Sequence, residues 1–321
     1  MVVQTFTAKD YKTAVHNTWC PGCGDFAILN SIQNALVDLQ VPPHMVAIVS
    51  GIGCSGKAPH YINAYGFHTL HGRALPSATG VKLANPKLTV VAVGGDGDGF
   101  GIGAGYFINT GRRNVDMTYL VMDNQVYGLT KGQASPTMHK GDKAKGMAEA
   151  AVQDSVNPLA LAISAGYTFV ARGYALQPRS LAQIIAEAIR HRGTSFVDIM
   201  QTCPVYNDLH DKDWYGEKLD GRPRLYQLDD TDFDPVVHDP TNPDEIVAKK
   251  VQAIAKSYEW GARIPTGVLY KLETATYEDS MAAGRPRGMD SVLDPNLTDR
   301  DLTRLVDDLM EPFRPVIDLK V

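Results

Sequence analysis

The chain has 321 residues, 44% hydrophobic and 21% charged, enough for one large α/β core plus an appendage. A formal net charge of −5 argues against a nucleic-acid or membrane surface as partner. No run of about 18 apolar residues occurs and the N-terminal MVVQTFTAKDYKTAVHN has no hydrophobic signal core, so a cytoplasmic location is expected.

In chain order, the first feature is Trp19-Cys20-Pro-Gly-Cys23-Gly, a C-x-x-C pair just ahead of a helix. Apolar residues at Ile28, Leu29, Ile32, Ala35, Leu36 and Leu39 mark that helix over 25–39, with Asp25 as cap or first-turn acid. Val41-Pro42-Pro43 ends it, and 45–49 reads as a buried strand running into Gly51-Ile52-Gly53-Cys54-Ser55-Gly56-Lys57-Ala58. Further strands are predicted at 88–93, 119–122, 168–171 and 195–200, with helices at 158–165 and 181–189 between them. Strands alternating with helices predict a doubly wound parallel sheet with right-handed crossovers, over residues 1–205. After Pro204 the periodicity fades; only 243–260 and 299–310 look helical, and residues 206–321 read as an irregular C-terminal extension wrapping the core or a partner subunit.

The chemistry concentrates at two strand ends. One closes in Gly95-Asp96-Gly97-Asp98, the next in Asp123-Asn124, and parallel α/β sheets bind ligands at that edge. Glycines let a backbone approach a phosphate, a helix N-terminus faces it, and Asp96 with Asn124 offers hard oxygens for Mg²⁺. Competing patterns overlap these glycines. Gly99-x-Gly101-x-x-Ala104 satisfies a dinucleotide pattern, but it begins past the strand end where the tight turn is required. Residues 51–58 nearly spell a P-loop, yet Ala58 stands where a hydroxyl should hold Mg²⁺. Glycine turns and acidic caps also recur for packing alone.

Four cysteines are present: Cys20, Cys23, Cys54 and Cys203. One pair plus two distant singles fits a [4Fe-4S] cluster better than structural zinc, which favours paired knuckles. Thiol exchange would use only the pair, and plain burial would account for the singles alone.

The motifs WCPGCG, GIGCSGK, HTLHGR, GGDGD, GRRNVDM and DNQVYGLTKGQASPT, from Trp19 to about Asn207, resemble the β subunit of 2-oxoacid:ferredoxin oxidoreductases, thiamine-diphosphate enzymes. EWGARIP at 259–265 continues the likeness in outline. The resemblance implies a thiamine-diphosphate-binding fold, thiamine diphosphate with Mg²⁺, and one [4Fe-4S] cluster held by Cys20, Cys23, Cys54 and Cys203. It places Mg²⁺ on Asp96, the Asn124 side chain and the Val126 carbonyl. Ile52, Gly53, Cys54, Ser55, His71, Gly95, Gly97, Asp98, Gly128 and Leu129 match stretches lining the cofactor. Lys57 and Lys131 are the cations expected nearest the acid substrate or coenzyme A. The implied reaction is coenzyme A-dependent oxidative decarboxylation of 2-oxoglutarate and/or pyruvate to acyl-CoA and CO₂, with electrons passing to ferredoxin. A single sheet lacks the carboxylate that the aminopyrimidine ring needs, so an α subunit is expected to complete the site. His68 is expected to be structural and Arg112-Arg113 to end a helix. The rival readings are a non-oxidative thiamine decarboxylase or synthase, and a zinc or iron–sulfur module without catalysis.

Overall fold

The structure is a computed structural model and describes residues 5–283. Helix α1 (Asp25–Asp38) forms on the predicted stripe and buries Ile28, Leu29, Ile32 and Leu36. It leads into strand β1 (Val46–Ser50), the short helix α2 (Ala58–Tyr61) and strand β2 (Tyr65–His68). Then follow α3 (Ala74–Ala84), β3 (Thr89–Gly95), a wide π-type turn at Gly97–Ile102, α4 (Ala104–Gly111) and β4 (Met117–Asp123). A small hairpin of β5 (Val126–Tyr127) and β6 (Gln133–Ala134) precedes α5 (Pro158–Ala165), β7 (Phe169–Tyr174), α6 (Pro178–Arg190) and β8 (Thr194–Met200). Helix α4 stops at Gly111, and Arg112 caps it.

These strands form one sheet in the order β11-β12-β7-β8-β4-β3-β1-β2, where β11 is Leu225–Gln227 and β12 is Ile264–Lys271. Pairing is parallel from β7 to β2 and antiparallel between β12 and β7. Alternate residues of each strand enter opposite cores, as a two-residue side-chain period requires. Val46, Ile48, Val91 and Val93 join the layer of α1 and α6; Ala47, Val49, Val90 and Ala92 join that of α3, α4 and α5. Burial on both faces explains why these strands read as continuous apolar runs.

The structure departs from the sequence reading in two places. Strand β2 was not predicted: all four of its residues are exposed at the sheet edge, so it carries no burial pattern. The stretch after residue 205 is less irregular than expected. It supplies α7 (Lys212–Gly216), a hairpin of β9 (Lys218–Leu219) and β10 (Arg222–Pro223), then β11, α8 (Pro243–Ser257) and β12. Pro265 and Gly267 disguise β12, which is nonetheless buried from Ile264 to Tyr270. Helix α9 (Tyr277–Ala283) follows. The helix expected at 299–310 lies outside the described residues.

Candidate active site

After β1 the chain moves outward to β2, whereas after β3 it moves the opposite way to β4. Their C-terminal loops therefore diverge and leave a crevice, the switch point where doubly wound sheets take ligands. A cavity of about 170 Å³ lies there. Ile52, Gly53, Cys54 and Ser55 line it from the β1 loop, His71 from the β2 loop, and Gly95, Asp96, Gly97 and Asp98 from the end of β3. Asn124, Val126, Tyr127, Gly128, Leu129 and Thr130 follow β4 into the same wall.

Asp96 is buried and its Oδ2 accepts hydrogen bonds from Ser135 Oγ and Thr137 Oγ1. Thr137 Oγ1 also lies 2.8 Å from Asp123 Oδ1. A hydroxyl has one proton to give, so one of the two carboxyls must itself be protonated. Asp123 is that group: burial, with Asp96 and Asp198 beside it, holds its pKa well above the usual carboxylate range. Burial also raises Asp96, opposed by its hydroxyl donors. An oxygen-rich, acidic and dehydrated rim of this kind suits a hard divalent cation.

Asn124 enters a tight turn in which its Oδ1 accepts from Val126 N at 3.0 Å while Gln125 takes φ +65°. Asn207 Nδ2 donates to the Asn124 carbonyl at 2.9 Å, pinning the segment after β8 onto this loop. Gly97 has to be glycine: a Cβ there would fall 2.1 Å from the Tyr127 ring.

The sulfurs converge on the same wall. A Cβ built on Gly128 would stand 3.5 Å from Cys54 Sγ and 3.9 Å from Cys203 Sγ. Burial first, then Asp25 and the neighbouring thiols, pushes Cys54 up to about 11, and Cys23 and Cys203 are raised too. Cys20 and Cys203 both act on Cys54, and Cys54 and Cys203 both act on Cys23. Among the described residues no three His, Cys, Asp or Glu side chains close into a formed metal cage. Asp25 is the first-turn acid of α1 rather than its cap, and it is fully buried with both oxygens unpartnered; burial lifts it to about 7.

The two lysines do not meet at the cavity. Lys57 Nζ donates to Thr18 Oγ1 at 3.1 Å and is outside the cavity wall. Lys131 is exposed, with φ +81°, on the turn that follows the wall residues. His68 sits on exposed β2 with Nδ1 3.3 Å from His60 Nε2. Sequence reasoning missed Ser135, Thr137 and Tyr127; the hydroxyls of the GQASPT run were the available signal.

Residues 46–199 match the family "Thiamine pyrophosphate enzyme, C-terminal TPP binding domain", and 203–285 match the family of the C-terminal part of the pyruvate ferredoxin oxidoreductase beta chain. A 2-oxoacid:ferredoxin oxidoreductase subunit beta from Sulfolobus sp is 50% identical over 301 residues, 92% of this chain and 96% of that one. The chain belongs to the β-subunit family of the 2-oxoacid:ferredoxin oxidoreductases. Its counterpart from Saccharolobus solfataricus is 51% identical over 279 residues, 86% of this chain and 88% of that one. A solved 2-oxoglutarate:ferredoxin oxidoreductase from Magnetococcus marinus, with 2-oxoglutarate, coenzyme A and succinyl-CoA bound, superposes with a TM-score of 0.79 at 34% identity over 98% of both chains. As a β subunit of this oxidoreductase family the protein implies an α-subunit partner, and its domain is one that binds thiamine diphosphate. Among the described residues no helix is long and apolar enough to cross a membrane.

Proposed function

We propose that the chain, once assembled with its α-subunit partner, carries out coenzyme A-dependent oxidative decarboxylation of 2-oxoacids, 2-oxoglutarate and/or pyruvate, to acyl-CoA and CO₂, with ferredoxin as electron acceptor. The carrying observation is the position of Gly128, which lines the Asp96–Asn124 cavity and stands against Cys54 and Cys203. One loop thus borders both an oxygen donor set and a sulfur donor set.

Asp96, the Asn124 side chain and the Val126 carbonyl would hold Mg²⁺ against the diphosphate. Cys20, Cys23, Cys54 and Cys203 would hold one [4Fe-4S] cluster. Thiamine diphosphate supplies the carbon that adds to the 2-oxo group, and the cluster supplies one-electron acceptance. The protein's own part is placement. Ser135 and Thr137 fix the Asp96 carboxylate, the turn at Gln125 aims Asn124, and burial excludes water.

A cavity of about 170 Å³ is small beside the roughly 300–1,000 Å³ of sites enclosing drug-sized ligands. Leu129 in its wall is half-exposed, and Leu70 and Ile102 are exposed on the segments that follow β2 and β3. The α subunit is the cover we assign to that rim. Anaerobic reconstitution with the α partner tests the reading: ferredoxin reduction with coenzyme A and a panel of 2-oxoacids, and about four irons per chain. Colourless protein with one zinc refutes it. Lys131→Ala, compared on 2-oxoglutarate and pyruvate, separates a clamp on the distal carboxylate from a coenzyme A contact. A loss confined to 2-oxoglutarate supports the clamp; an equal loss on both supports coenzyme A.

A further inference from the structure

Asp98 is counted above among the residues lining the cofactor, but its oxygens are already engaged or enclosed. Oδ1 accepts from Gly72 N at 2.7 Å and from Ile52 N at 3.0 Å, and His71 Nδ1 stands 3.1 Å away. Oδ2 is buried without a partner, pressed so close to the β1 loop that a Cβ on Gly51 would lie 2.0 Å from it. The carboxylate therefore ties the loops after β1, β2 and β3 together from behind.

We propose that Asp98 is a positioning residue, fixing the His71 ring so that Nδ1 carries the proton and Nε2 is the nitrogen presented to the bound cofactor. Oδ1 already takes two backbone N–H groups and so can only accept, and as a close charge contact at 3.1 Å it favours the proton on His71 Nδ1. The Ile52 carbonyl, 3.4 Å from the same nitrogen, imposes the same tautomer, since a carbonyl cannot donate. An imidazole whose Nδ1–H is held by a carboxylate has its other nitrogen aimed and its rotation stopped, as in carboxylate–histidine pairs at metal and acyl-transfer sites. His71 is the partly exposed member and lines the cavity; Asp98 is the buried one. The same oxygen also sets the Ile52 end of the loop bearing Cys54, so the histidine and the sulfur loop share one anchor.

The inference rests on reading this cavity as the thiamine diphosphate site. A double-mutant cycle on the assembled α–β enzyme tests it, with Asp98→Asn, His71→Gln and the double variant compared for thiamine diphosphate affinity and turnover. Each single change is expected to cost about 10–100-fold, the usual effect of removing a group that orients a functional histidine. In the His71→Gln background, Asp98→Asn should then add less than about 2-fold. Losses that multiply mean a merely structural carboxylate and overturn the proposal. Should Asp98→Asn fail to fold, histidine-selective ¹⁵N NMR of the unaltered enzyme decides. An Nδ1–H signal for His71 supports the proposal, and an Nε2–H tautomer with bare Nδ1 refutes it. Wild-type enzyme that binds no thiamine diphosphate refutes the site reading instead, while the tautomer measurement still tests the Asp98–His71 pair.

Discussion

Two groups of buried acids sit on neighbouring strands of the same sheet, and their charge is met differently. At the end of β3 and β4, Asp96 and Asp123 share the Thr137 hydroxyl, and neither forms an ion pair among the described residues. On β8, the strand next to β4, Asp198 accepts from Arg172 Nε on β7 at 3.1 Å, both residues nearly inaccessible. The second group pairs its charge within the protein, with Asp198 Oδ1 and Arg172 Nη1 left without a hydrogen-bond partner. The first is relieved by the proton on Asp123 and by hydroxyl donors, yet Asp96 keeps carboxylate oxygen on the cavity wall for a bound cation, which is why it reads as a binding site.

That contrast breaks most sharply on Asp96→Asn. Turnover of the assembled enzyme should fall by about 10³-fold or more, since a metal ligand supplies several kcal/mol and each 1.36 kcal/mol is tenfold. The metal-free chain should keep its stability, because the change removes a buried charge with no ion-pair partner while the amide oxygen can still accept from Ser135 and Thr137; a large drop in denaturant midpoint would make Asp96 structural. Arg172→Met should do the reverse. Leaving Asp198 buried and unpaired costs about 3–5 kcal/mol of unfolding free energy, visible in urea titration. An unchanged midpoint would show that the charges are not paired.

A smaller effect comes from His210, whose Nδ1 lies 2.5 Å from Gln125 Oε1 behind the Asn124 turn. Burial, with His139 and Arg224 nearby, lowers its pKa to about 4. The unfolded chain, near 6.5, then binds more protons than the folded one between these values, so stability falls as pH drops through that window. Going from pH 7 to pH 5 should cost about 2 kcal/mol from this residue. His210→Asn should remove that part of the slope; an unaltered slope would place the proton uptake elsewhere.

How much was legible from residues alone differs by element. The core strands 46–50, 89–95, 117–123, 169–174 and 194–200 were recognisable within a residue or three, because parallel strands buried on both sides are apolar throughout. Strand β2 and strand β12 were not: one is wholly exposed, and the other carries a proline and a glycine. Asp96 and Asn124 could be named because strand ends and glycine turns have sequence signatures, whereas Val126 and Gly128 followed only from the resemblance to the family. Their partners Ser135 and Thr137 could not, as a hydroxyl's role depends on which carboxylate it meets across the hairpin.

Sequence by itself determined the type of fold, the strand ends that meet at the cavity, and, through ordered motifs, the enzyme family. Tertiary structure alone decided that Lys57 turns to Thr18 rather than the cavity, that Asp25 is buried without a partner, and that Asp98 faces His71. The reason is physical. Periodicity and turn chemistry are local properties of the chain, whereas the partner of a buried charge is set by where distant loops meet.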